Sequence, residues 1–119
     1  MQAQNREAVV ATIADGAALS DGVFCVGGVI VGIHMPAVWD AAVITFQVSM
    51  DNADYLDAYS AAGAEHTITV AADQHIWLDP SQFASYRWAK VRSGTTAAPV
   101  NQVTGADDKL VTLIVRGIN

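Results

Sequence analysis

The chain has a single cysteine, Cys25, so no disulfide can close within it and no cysteine-based zinc site can be assembled. Set among apolar neighbours in a strand-like stretch, that thiol reads as a small buried hydrophobe. Positive charge is equally scarce. Six Lys and Arg stand against twelve Asp and Glu, for a net charge of −6, and so acidic a molecule repels phosphate backbones, which argues against nucleic acid as a partner. No apolar run approaches the roughly 18 residues of a membrane-spanning helix. The longest near the start, Val23 to Ile33, is broken by Gly27, Gly28 and Gly32, and no membrane partner is expected. The opening Met1 to Arg6 is polar with one positive charge and does not read as a secretory leader, so the expectation is a protein made and kept in the cytoplasm, or exported without a signal.

Catalytic signatures are missing too. There is no Gly-x-Ser-x-Gly elbow, no His-Glu-x-x-His and no cysteine beside a catalytic histidine segment. A pair of carboxylates could in principle hydrolyse glycosides, but a chain of 119 residues seldom builds the cleft this needs. Gly27, Gly28 and Gly32 have no helix after them to complete a phosphate cradle, and they fit a bulge or close sheet packing better. Asp51, Asp54 and Asp57 fail the calcium-loop pattern, because Ala53 and Tyr55 occupy the ligand positions between them; a capped hairpin loop explains them better. His34, His66 and His75 fall in three separate candidate strands with no i, i+2 pairing, so no metal is assigned to them. The expectation is a non-enzyme that needs no cofactor.

What the chain does have is apolar residues, 52% against 15% charged, enough for one core. Their period is two. In Ile44 to Met50, Ile44, Phe46, Val48 and Met50 share one face and Thr45, Gln47 and Ser49 the other, which predicts a half-buried strand. Ile68 and Val70 point inward from a second such segment, His66 to Val70. Gln74 to Leu78 and Tyr86 to Arg92 are aromatic and β-branched, and Glu7 to Ala14, Val23 to Val26, Val29 to His34 and Lys109 to Arg116 complete the predicted strands. Turn residues recur about every ten positions, at Asp15-Gly16, Asp21-Gly22, Pro36, Asp51-Asn52, Gly63, Asp79-Pro80, Ser93-Gly94 and Gly105. Short strands at this spacing predict an all-β antiparallel sandwich over residues 7–119, preceded by a mobile arm at residues 1–6. One short helical turn is expected near residues 80–84, with Asp79 as N-cap and Pro80 at the first helical position.

The final strand is apolar on both faces, with Val111, Leu113 and Val115 on one and Leu110 and Ile114 on the other. Either the second face is covered within the subunit or it meets a neighbouring one. Trp39, Trp77 and Trp88 read as core or interface packing, and a sugar-stacking role is the alternative for Trp39.

Four segments carry a resemblance: Thr12-Ile-Ala-Asp-Gly-Ala-Ala-Leu-Ser20, Val31-Gly-Ile-His-Met-Pro-Ala-Val-Trp39, Leu78-Asp-Pro-Ser-Gln-Phe83 and Val91-Arg-Ser-Gly-Thr-Thr-Ala-Ala-Pro-Val-Asn-Gln102. Together they resemble a family of small structural proteins of tailed-bacteriophage virions. The resemblance implies a jelly-roll-like sandwich on the outer capsid surface, acting as a decoration or cement protein. The implied partners are the major capsid protein and further copies of the chain, a trimer being favoured, with assembly in the host cytoplasm. It supplies no catalytic or ligand motif. The expected contact residues are Leu110, Thr112, Ile114 and Arg116 of the last strand, Thr95, Pro99 and Asn101 of a rigid small-residue loop, and Arg6 of the arm. The alternatives are a virion-surface carbohydrate-binding module using Trp39, Tyr55 and Tyr59, or a tail or baseplate component.

Overall fold

A computed structural model describes residues 6–25 and 27–117. The strands are β1 (Arg6–Ile13), β2 (Val23–Phe24), β3 (Gly28–His34), β4 (Ile44–Ser49), β5 (Leu56–Asp57), β6 (Thr67–Ile68), β7 (His75–Trp77), β8 (Trp88–Ser93) and β9 (Lys109–Gly117). They form two antiparallel sheets packed face to face, as the alternation predicts. The first has the order β1-β9-β3-β7; the second has β2-β8-β4-β5, with β6 pairing the other half of the same β4 edge. Four of the pairings are nested: β1 with β9, β2 with β8, β3 with β7 and β4 with β5. These successive pairs alternate between the two sheets.

The core lies between the sheets. Ala11 and Ile13 of β1, Ile30 and Ile33 of β3, Ile44 and Phe46 of β4, Val91 of β8 and Val111, Leu113 and Val115 of β9 are buried. Ile68 and Val70 pack against them, as expected. Pro80–Phe83 forms a 3-10 turn, Asp79 accepts from Ser81 N as its cap, and the turn drops Phe83 into the core edge-on to Phe46. The glycine-rich stretch makes close contacts and no phosphate cradle. A side chain at Gly28 would collide with Arg116 O, and a β-bulge falls between Ile30 and Gly32.

Several sequence expectations need correction. Met50 is 71% exposed, because β4 ends at Ser49 and the chain turns away. Thr45 and Ser49, expected to face water, are buried: the Thr45 hydroxyl donates to Gly94 O and that of Ser49 to Asp51. Trp77 is no core residue; β7 is a short edge strand and its ring stands in solvent, 84% exposed. Arg6 is the first residue of β1, in register with Arg116, and does not belong to an arm. Residues 1–5 lie outside the described residues. β5 was absent from the sequence-based strands.

Candidate interaction surface on the first sheet

Register decides which residues share the outer face of the first sheet. Residues directly opposite each other across a ladder point to the same side. Val9, Ala11 and Ile13 of β1 oppose Leu113, Val111 and Lys109 and face the core, so Arg6, Ala8, Val10 and Thr12 face outward with Arg116, Ile114, Thr112 and Leu110. Across β3, Gly32 lies between Ile114 and Trp77, and His34 between Thr112 and His75. The outer face therefore reads as rows: Ala8, Ile114, Gly32, Trp77; then Val10, Thr112, His34, His75; then Thr12, Leu110.

This face is apolar where a sandwich normally shows polar side chains to water. Val10 is 43% exposed, Leu110 51% and Trp77 84%. Gly32 is buried among its neighbours, since a Cβ there would sit 3.3 Å from Ile76 O and 3.5 Å from both Ile114 Cγ1 and His75 Nε2. The centre carries no carboxylate and no Lys or Arg. Charge stands at its ends, with Arg6 and Arg116 paired at one and Asp107, Asp108 and Asp15 around the loop that enters β9 at the other. In that loop the Lys109 side chain is buried and its ammonium donates to Asp107 Oδ1 at 2.6 Å and to Thr104 O at 2.7 Å.

Five expected contact residues, Leu110, Thr112, Ile114, Arg116 and Arg6, fall on this one face. Thr95, Pro99 and Asn101 do not. They belong to the loop leaving β8 of the other sheet, where Gly94 bridges Pro99 and the Thr96 amide and hydroxyl both donate to the Glu65 carboxylate. Trp77, His34 and His75 complete the face and were not among the expected contacts. The alternating run Gln74 to Leu78 shows that two side chains share a face, but only the sheet order shows that this face is uncovered.

The outer face of the second sheet differs in kind. Arg92, 7% exposed, donates to Asp57 Oδ1 at 2.6 Å, to Glu65 Oε2 at 3.3 Å and to Thr96 Oγ1 at 2.8 Å, joining β5, β8 and two loops. The Arg92 hydrogen bond holds the Asp57 carboxyl below its usual pKa. Lys90 lies over the Tyr55 ring and Arg87 over Phe24, which itself packs on Trp88. These pairs occupy the centre of that face, and the exposed apolar residues of this sheet, Phe24 on β2 and Leu56 on β5, stand at its edges.

The three aromatic residues proposed for sugar stacking do not converge. Trp39 packs against the core and its Nε1 donates to Ala42 O, Tyr55 lies under Lys90, and Tyr59 stands on the lip of a cleft of about 340 Å³ with Glu65, His66, Gln82 and Tyr86. In that cleft His66 Nδ1 is 2.5 Å from the Tyr86 hydroxyl, and its buried Nε2 has no partner among the described residues. Burial pushes the His66 pKa down. Asp51 accepts from the amides of Asp54 and Ala53, the capped-loop role expected of it, and these bonds lower its pKa. Among the described residues no three His, Cys, Asp or Glu side chains gather as a metal site, and no helix is long and apolar enough to cross a membrane.

No family model, curated protein or solved structure matches the chain. What it does has to be argued from the surface itself.

Proposed function

We propose that this protein is a non-catalytic structural component of a tailed-phage virion, a decoration or cement protein that docks on the outer capsid surface through the outer face of its first sheet. The observation that carries the reading is the exposure of Val10, Leu110 and Trp77, with Ile114 half-buried among them, on a sheet whose other face already fills the core. Exposed apolar patches with a polar surround mark protein–protein contact, and tryptophan, here Trp77 on the edge strand of this face, is a residue type that anchors such contacts. The charged ends, basic at Arg6 and Arg116 and acidic at Asp107 and Asp108, would fix orientation once the apolar centre is buried. The nested pairing of β1 with β9, β2 with β8, β3 with β7 and β4 with β5 supports the jelly-roll reading of the sandwich.

The test is co-sedimentation with expanded capsids. Wild-type protein should pellet with the shells at a fixed stoichiometry and raise their heat stability, and a Trp77→Ser, Leu110→Ser double variant should stay in the supernatant. Equal binding by the variant refutes this face as the contact. A second reading, a glycan-binding module, rests on the exposed Tyr59 beside the His66 cleft. A glycan array on which Tyr59→Ala matches the wild type removes it.

A further inference from the structure

The sequence gives three histidines no common site, but the fold brings two of them together. His34 of β3 and His75 of β7 are opposed across an antiparallel ladder, on the outward face, with ring centroids 5.5 Å apart and Nδ1 to Nδ1 at 3.2 Å. Both side chains are exposed, and the neighbouring β3 residue on that face is Gly32, whose lack of a side chain lets the His75 ring lie close against the β3 backbone. We propose that His34 and His75 form a two-imidazole chelate for a first-row divalent ion of the zinc, nickel and copper group.

The spacing carries the argument. With metal–nitrogen bonds of about 2.0–2.1 Å, two ligands lie about 2.9 Å apart at a right angle and about 3.4 Å apart at a tetrahedral angle. A separation of 3.2 Å falls between the two. Neutral imidazole is a preferred ligand of these ions, and a pair fixed on adjacent strands meets the metal without the entropy cost of gathering two free side chains. Without metal, one Nδ1–H can donate to the other Nδ1. To take the ion, that ring moves its proton to Nε2, so both Nδ1 lone pairs face the metal. No third His, Cys, Asp or Glu of the described residues completes the set. Water fills the remaining positions in the isolated chain, and the ion stays open to a ligand from whatever lies against this face.

The experiment is a Zn²⁺ titration of the full chain followed by the nitrogen resonances of all three imidazoles. The His34 and His75 signals should move together and saturate at one equivalent, while those of His66, tied to Tyr86, stay still. His34→Gln and His75→Gln should each abolish saturable binding, and EDTA or acid should reverse it, because the ligands must be unprotonated. Ni²⁺ should quench the emission of Trp77, two residues from His75 on the same face, and Trp77→Phe should remove that quenching. Movement of only one ring, or single variants that bind Zn²⁺ as well as the wild type, overturns the proposal. Because no capsid is present, the outcome is independent of the docking test above.

Discussion

Ile114 and Trp77 stand on opposite sides of Gly32, on strands that both pair with β3, and Gly32 is buried between those strands. A Cβ at Gly32 would press on Ile76 O at 3.3 Å, and the two further methyls of a valine would press on Ile114 and His75. Gly32→Val is therefore expected to lower the melting temperature and to weaken docking together, measured by calorimetry and co-sedimentation on the same samples. Trp77→Ser, by contrast, should cost no more than about 0.5 kcal/mol of stability, as for other exposed sites.

Arg92 should prove structural. Removing it leaves Asp57 and Glu65 without their cation and Thr96 without a donor, but both carboxylates are partly exposed, so water moderates the loss. Arg92→Met is expected to cost about 2–3 kcal/mol in urea unfolding, below the range for fully buried pairs. Docking of the folded fraction should be unaffected, because the opposite sheet carries the contact.

Acid should destabilise the fold in two stages. The pKa of His66 is lowered from 6.5 by burial, so the unfolded chain takes up that proton first, and the stability held above pH 6.5 is lost as pH falls through the folded-state value. Asp57, Asp51 and Asp40 also have lowered pKa values, from 3.8, through hydrogen bonds to Arg92, to the Asp54 and Ala53 amides, and to Thr104 and Val103 respectively. Their contribution is present above that value and disappears below it. Unfolding free energy measured from pH 7 to pH 2 should show both declines. His66→Phe should remove the first, and Asp57→Asn should shrink the second.

Cys25 is buried, and burial pushes its thiol up to about 11. A thiol-specific reagent at pH 8 should modify it only as fast as the molecule opens, and the rate should rise with urea. Immediate labelling of native protein would show that β2 is not packed as described.

Much of this fold was legible in the alternating segments, because period-two patterning marks strands wherever one face is buried. The 3-10 turn was legible from Asp79 and Pro80. The two-residue β5 was not, since no periodicity can appear in Leu56 and Asp57. The site was half legible. Leu110 and Ile114 betray themselves by being apolar opposite an already apolar face, whereas Trp77 looks like any core tryptophan until the sheet order exposes it. The pairing of His34 with His75 depends on the β3–β7 register, which joins residues 41 apart in sequence. The burial of Thr45 likewise depends on Gly94, 49 residues away.

The most direct test of the docking surface is hydrogen exchange on the chain alone and on the chain bound to expanded capsids. The account predicts new protection along β1, β3, β7 and β9, with the β4–β5 hairpin and the Thr95 to Asn101 loop unchanged. Protection confined to that hairpin and loop, or no capsid binding at all, would contradict it.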